Sequence, residues 1–391
     1  MMGQKGTVRF DPILLGAVLA LVALGLVMVY SASALPGHDK TGDGFFFLKR
    51  QLLAAALGLG AMASAMWLGY RKLAKLAYPI MFVALALMIA VLIPGVGGSA
   101  GGAQRWIRFP FISVQPTEIL KFAWIVYLAY SLAKKREKVA TFSVGFLPHF
   151  IFAGVLCLLC LAQPDFGSSV ALMFLLFIML FAAGAKLSYL VGSLLLALPV
   201  GYHVVASSPY RLKRITAFLD PWGTRDGAGY QVAESLMSIG SGGITGLGLG
   251  DGRQKLGFVP ELHTDFIFSI IGEELGLIGI TVLLTLFGIV IWRGIRASLH
   301  ASEPFGTYLG LGVTALFAFQ AIVNMCVATG MLPTKGLTLP FISYGGSSLV
   351  VMMGAAGVLL SVSAMAEART GASRPVRTSR AVMAQSEEAT A

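Results

Sequence analysis

Residues 12–34 read PILLGAVLALVALGLVMVYSASA, an apolar run without one charged side chain. A helix needs roughly 20 such residues to cross a ~30 Å hydrocarbon core, so this stretch alone predicts a membrane span. Lys5 and Arg9 precede it, and Ser31-Ala32-Ser33-Ala34 imitates the cleavage site of a signal peptide. The run is too long for the ~7–15-residue core of such a peptide, which favours a retained helix. Further apolar segments follow near 51–69, 76–94, 115–133, 143–162, 167–184, 188–207, 265–292, 305–330 and 342–366. The fold class expected is therefore an all-α polytopic membrane protein with ten transmembrane helices over 12–366. An outer-membrane barrel would show ~10-residue strands of alternating polarity. FIFAGVLCLLCLA at 150–162 does not alternate, and the barrel reading fails.

Composition agrees. Of 391 residues, 57% are apolar and 12% charged, against about 25% charged in an ordinary soluble domain. The formal charge of +11 is compatible with nucleic acid or anionic lipid as a partner, and position decides between them. Arg71, Lys72 and Lys75, then Lys134, Lys135, Arg136 and Lys138, gather between apolar runs, as topology signals do; no nucleic-acid partner is expected. With the N-terminus (1–11) cytoplasmic, the basic loops at 70–75, 134–140, 185–187 and 293–304 fall on the inner side together with both tails. The tail at 367–391 has too few large apolar residues to fold and is expected to be disordered and cytoplasmic. Cys157 and Cys160 share one apolar run without a βαβ context, so they read as packing residues.

One connection breaks the rhythm: the large outer loop 208–264 between the seventh and eighth spans. Long ordered loops are where function concentrates. It holds Pro209, Pro221 and Pro260, an amphipathic helical pattern at 231–239, and GSGGITGLGLG at 240–250. No strand precedes those glycines, so they predict a tight, close-packed loop rather than a dinucleotide site.

Ionisable groups at membrane depth are costly and therefore functional candidates. Glu118 and Lys121 are three apart on one helix face and can pair. Asp165, in QPDFG at 163–167, reads as an N-cap for the sixth span. Asp265 stands at the mouth of the eighth span, in PELHTDFIFSIIGEELG at 260–276, where N-capping by Thr264 or Asp265 is the competing reading. Glu273 and Glu274 lie deeper in the same helix and need partners. Candidates are Arg211, Lys213, Arg214, Arg253, Lys255, Lys121 and Lys335.

A carboxylate at an outward-facing rim, with cations nearby and access from lipid, suits an anionic lipid-linked substrate. Glycosyl transfer from a polyprenyl-pyrophosphate sugar needs a base for the acceptor hydroxyl and cations for the departing pyrophosphate. Because that leaving group is already a stabilised anion, one carboxylate can suffice where a glycosidase uses two.

The stretch 260–276 and LPTKGLTLPFISYGGSS at 332–348 closely resemble the SEDS family of ten-span cell-wall proteins. So do Arg105-Trp106, QPTEILK at 115–121, QPDFG, and Gly229-Tyr230-Gln231 leading into Ser241-Gly242-Gly243. The blocks run from about residue 12 to 366. Lys335 to Thr338 and Gln254 to Leu256 are more similar to the division branch than to the elongation branch. The resemblance implies a peptidoglycan glycosyltransferase that polymerises lipid II on the outer face of the plasma membrane and releases undecaprenyl pyrophosphate. It also implies a class B penicillin-binding protein as partner, with other division proteins, at the division site. Asp265 matches the family's essential aspartate; Glu118 and Lys121 match polar residues of its central cavity. Arg105, Asp165, Lys255, Lys335 and Ser343 are candidates for substrate binding. Leu262 departs from the common PEAHTD pattern, but the polar members stand. No compact metal-ligand set is visible, so no tightly bound cofactor is expected; a divalent cation (Mg or Mn) would arrive with the pyrophosphate. A lipid II flippase is the main rival reading, and a non-catalytic divisome scaffold the next. A flippase should place polar groups near the midplane between repeated halves, whereas here they crowd toward the outer side.

Overall fold

The structure is a computed structural model that describes residues 10–95, 97–100, 103–108, 113–252, 264–334 and 336–372. Each apolar segment read from the sequence is occupied by a helix. In chain order these are α1 (Pro12–Thr41), α2 (Phe46–Leu68), the short α3 (Tyr70–Lys75), α4 (Ala77–Ala90), α5 (Pro116–Lys134), α6 (Leu147–Ala162), α7 (Phe166–Ala182) and α8 (Leu187–Ala206). Two helices of the long loop follow, α9 (Pro209–Leu219) and α10 (Tyr230–Ser241), then α11 (Ile267–Leu299), α12 (Pro304–Ala328) and α13 (Gly346–Ala372). Among the described residues, seven helices are long and apolar enough to cross a membrane, and α4 and α7 are shorter apolar helices. α5 is 19 residues long but carries Glu118, Lys121 and Lys134.

That α5 keeps two charges follows from its place. α4, α7 and α12 pack around it, and Leu120, Lys121, Trp124, Ile125 and Leu128 are fully buried. The Trp124 indole N–H donates to the Leu172 carbonyl of α7 (3.2 Å). At the other extreme is α8, whose Leu194, Leu195, Leu196, Leu198 and Val200 are exposed on the bundle surface, as lipid-facing side chains are. Between them, small residues bring helices close. On the α2/α13 pair, a Cβ at Gly357 would strike the Met62 backbone, and one at Gly58 the Met353 side chain.

Two features of the long connections escaped the sequence reading. After α4, three short strands, β1 (Gly97–Ala100), β2 (Ala103–Arg108) and β3 (Ser113–Val114), form an antiparallel sheet in that spatial order. α9 also lies inside the loop, where only the 231–239 helix was expected. α9 is as amphipathic as the 231–239 helix, with Leu212, Ile215, Phe218 and Leu219 on one face and Lys213 and Arg214 on the other, a pattern that could have been read. α1, α11 and α13 also overrun their expected ends. At the end of the bundle away from the long loop, Asp11 caps α1 by accepting from the Ile13 and Leu14 amides (3.1 Å each). Arg293 of α11 donates to the same carboxylate (2.6 Å).

α11 is two helices in one line. Gly276 adopts φ 63°, ψ −159° and interrupts it, and the glycine-dense stretch fills the interruption. The Leu247 and Gly248 amides donate to the Glu273 and Glu274 carbonyls (2.9 and 3.1 Å), while Leu277 and Ile278 donate to Gly243 and Ile244 (3.0 and 3.2 Å). Backbone groups that the break releases are thus satisfied by the loop, as a low-dielectric setting demands. Side chains do not fit in this seam: a Cβ on Gly242 would overlap the Gly272 carbonyl, and one on Gly246, itself at φ +83°, the Glu274 carbonyl. The expected tight loop is observed. Gly246→Ala is expected to cost about 1–3 kcal/mol or more through this overpacking, read as a lower melting temperature in detergent, whereas Gly60→Ala, which meets open space, should leave it unchanged.

Candidate functional site

Asp265 stands in a turn just before α11, at the end of the bundle that carries the long loop. The N-cap position of that helix is occupied by Phe266. Both backbone carbonyls of the turn are gripped from elsewhere. Asn324 of α12 donates to the Asp265 carbonyl (2.9 Å) and, with the same Nδ2, to the Leu337 carbonyl (2.8 Å). Ser343 donates to the Thr264 carbonyl (2.5 Å) and accepts from the Leu339 amide (2.8 Å). The Asp265 carboxylate looks onto the Gly336 backbone, where a Cβ would stand 3.3 Å from Oδ2.

The partner in this embrace is the connection between α12 and α13. It turns back into the bundle: a Cβ on Gly25 of α1 would meet the Phe341 carbonyl at 2.6 Å, and the Phe341 ring packs edge-on against Phe317 (5.0 Å). Gln51 of α2 holds it from the far side, donating to the Ser343 carbonyl (3.2 Å) and accepting from the Gly345 amide (3.4 Å). Ser347 accepts from the Gln115 amide at the start of α5 (3.1 Å).

Beneath this lip lies a second polar group. Lys121 and Glu118 form an ion pair (2.6 Å) with side chains 0% and 5% exposed. The second Glu118 oxygen, the Thr117 hydroxyl and the whole Gln320 amide are buried without a partner among the described residues. α5 and α12 run antiparallel, with Gly312 against Ile125. Gln320 and Thr117 lie equally far along the two helices from that contact and therefore at the same depth. Buried polar groups are nearly always hydrogen-bonded, so this concentration of donors and acceptors suits a polar guest or ordered water. Asn324 is one turn above Gln320 on the same face of α12, roughly 6 Å along the axis.

Of the remaining sequence candidates, Asp165 caps α7 as expected. It accepts from the Ser168 amide (3.0 Å) and hydroxyl (2.6 Å), one on each oxygen. Arg105 on β2 clamps the turn before it, donating to the carbonyls of Gln163 (2.9 Å) and Pro164. Gln163 reaches the Met88 carbonyl of α4 (2.9 Å). Ser343 is buried, with its hydroxyl engaged by the backbone contacts above. Glu274 accepts from the Ser31 hydroxyl on both oxygens (2.6 and 2.7 Å) and Glu273 from Ser238 (3.1 Å). Among the proposed cationic partners, Lys121 pairs with Glu118, Arg211 donates to the Val204 carbonyl (2.7 Å) and Arg214 to the Thr334 carbonyl (2.9 Å). Lys255, Lys335 and Arg253 lie outside the described residues. The search for charges overlooked the neutral amides Gln51, Gln320 and Asn324; amides interrupting otherwise apolar runs were the signal available.

A family model describing the FtsW/RodA/SpoVE cell cycle proteins matches residues 12–368. The chain belongs to the FtsW/RodA/SpoVE family. It is 49% identical over 355 residues to a probable peptidoglycan glycosyltransferase FtsW of Geobacter sulfurreducens, covering 91% of this chain and 95% of that protein. It is 43% identical to stage V sporulation protein E of Bacillus subtilis, over 90% and 96% of the two chains. Its fold is similar to a chain in a peptidoglycan synthase complex whose structure was described as coordinating polymerisation and crosslinking, with TM-score 0.76, 32% identity and coverage of 91% and 98%. The crystal structure of Thermus thermophilus rod shape determining protein RodA matches with TM-score 0.64, 29% identity and coverage of 91% and 97%. The FtsW/RodA/SpoVE fold is thus the frame on which these polar groups are hung.

Removing one partner of a buried ion pair leaves the other charge uncompensated, at a cost of about 3–5 kcal/mol. Glu118→Ala is therefore expected to lower the melting temperature sharply, and adding Lys121→Met to recover much of the loss. Additive losses would mean that the two side chains are not coupled.

Proposed function

We propose that this member of the FtsW/RodA/SpoVE family is a peptidoglycan glycosyltransferase that joins lipid II units into glycan strands and releases undecaprenyl pyrophosphate. The observation that carries the reading is Asp265: a carboxylate just before α11, on a turn whose carbonyls are held by Asn324 and Ser343, at the rim of the bundle. The curated relatives named as probable peptidoglycan glycosyltransferases support it. In this reading Asp265 accepts the proton of the acceptor sugar hydroxyl as that oxygen attacks the anomeric carbon bearing the pyrophosphate. Glu118, Lys121, Thr117 and Gln320 offer donors and acceptors to the saccharide, and the role of stabilising the departing diphosphate is assigned to the cations Lys255 and Lys335. Among the described residues no three His, Cys, Asp or Glu side chains converge as metal ligands, so no step is assigned to a divalent ion.

In this reading the chain crosses the membrane ten times with both termini cytoplasmic, which puts the Asp265 end on the outer side of the plasma membrane, where lipid-linked sugars are polymerised. The synthase complex to which the fold is similar supports a class B penicillin-binding protein as partner, and the FtsW relatives support the division site as the place of work.

Asp265→Asn in the purified protein with its cognate transpeptidase is expected to lower glycan polymerisation ~10²–10⁴-fold, with melting temperature and partner binding unchanged. Polymerisation at the wild-type rate would remove the assigned base. Lipid II flipping in vesicles that survives this substitution, with no polymer from the wild type, would make the protein a transporter instead. Because the motif with Asp265 follows directly on the long loop 208–264, whose position a partner can set, rate is expected to depend on the partner; equal rates with and without the transpeptidase would contradict this.

A further inference from the structure

We propose that Asn324 is the positioning residue of the transfer reaction: its carboxamide sets the place of the Asp265 carboxylate relative to the α12–α13 connection. The inference rests on the glycosyltransferase reading and adds to it a residue that never touches the substrate.

Three observations carry it. Asp265 precedes the first helical residue of α11, Ile267, so the turn lies outside the helix, and its carbonyls are held by side chains from other elements. The Asn324 Nδ2 has two N–H groups and both are spent, one on the Asp265 carbonyl (2.9 Å) and one on the Leu337 carbonyl (2.8 Å). A single planar amide therefore sets the separation of the two chain segments between which the carboxylate stands, since Asp265 Oδ2 faces Gly336, the neighbour of Leu337. Asn324 itself does not move freely: it is 2% exposed and rides on α12, packed against α5, α7, α11 and α13. Its Oδ1 is buried without a partner among the described residues, so the bonds that the side chain makes there are those of its donors.

Ser343 makes a second strap one residue earlier, between Thr264 and Leu339. The two straps differ in origin. Ser343 belongs to the connection it braces, whereas Asn324 reaches in from a membrane-spanning helix and ties the turn to the bundle. Asn324 bonds the backbone of the aspartate itself. A general base misplaced by about 1 Å loses rate of order 10²-fold without losing its substrate, so the expected signature is on kcat.

Asn324→Leu removes both donors at similar volume, and Asn324→Asp removes them in a nearly isosteric frame. Both are to be measured in the full chain with its transpeptidase, using lipid II, beside Asp265→Asn. Either folded variant is expected to lower kcat 10–100-fold with KM within about threefold of wild type. In the Asp265→Asn background the same change should leave the residual rate unaltered, because there is no base left to position. A purely structural role would lower the residual rate further and would shift KM with kcat. Wild-type kcat in a folded Asn324 variant, an additive loss in the double variant, or failure of both variants to fold would each overturn the proposal. If Asp265→Asn itself polymerises at the wild-type rate, the glycosyltransferase assignment of Asp265 fails, whatever Asn324 does.

Discussion

Non-helical backbone inside an apolar bundle is tolerable only where side chains or other backbone take up its N–H and C=O groups. The connection between α12 and α13 lives under that constraint. Apart from one turn in which the Ile342 and Ser343 amides donate to the Leu339 carbonyl, it runs past the middle of α1 and the ring of Phe317 with polar groups that, like those of the 264–265 turn, are taken by Gln51, Asn324 and Ser343. Each of these side chains comes from a different element. The same bonds that make the irregular segment affordable also lock α2, α12 and the mouth of α11 into one rigid rim around Asp265.

The interrupted α11 solves a similar problem by a different route. There the released carbonyls of Glu273 and Glu274 are met by amides of the glycine-dense loop rather than by side chains, which requires backbones to approach more closely than any Cβ permits. The two carboxylates beside this seam are drawn to hydroxyls of Ser31 and Ser238, tying the long loop and α1 to the helix that begins at the candidate base. A glycine-rich stretch that looks unstructured by composition is in this way part of the frame that holds the chemistry.

Charge is placed with matching economy. The helix that carries the Glu118–Lys121 pair is surrounded by α4, α7 and α12, whereas α8, with no charge between its ends, faces outward. Arg105 and Asp165 reinforce one turn from two sides, leaving the space between α5 and α12 to the groups whose bonding capacity is unfilled.

The amino-acid sequence by itself determined that the chain is helical and membrane-embedded, because the length of an apolar run is a local property set by bilayer thickness. It also determined that Asp165 caps a helix, since capping needs only residues three apart, and it singled out Asp265 by residue type and motif. It left N-capping open as Asp265's purpose, because whether a carboxylate turns back on its own helix depends on what else competes for that turn. What only the tertiary structure shows is which groups hold that turn: Asn324 and Ser343, which lie 59 and 79 positions away from their acceptors in the chain. Such pairings have no periodicity to read. The same is true of the level match between Gln320 and Thr117, which arises only once α5 and α12 are packed in register.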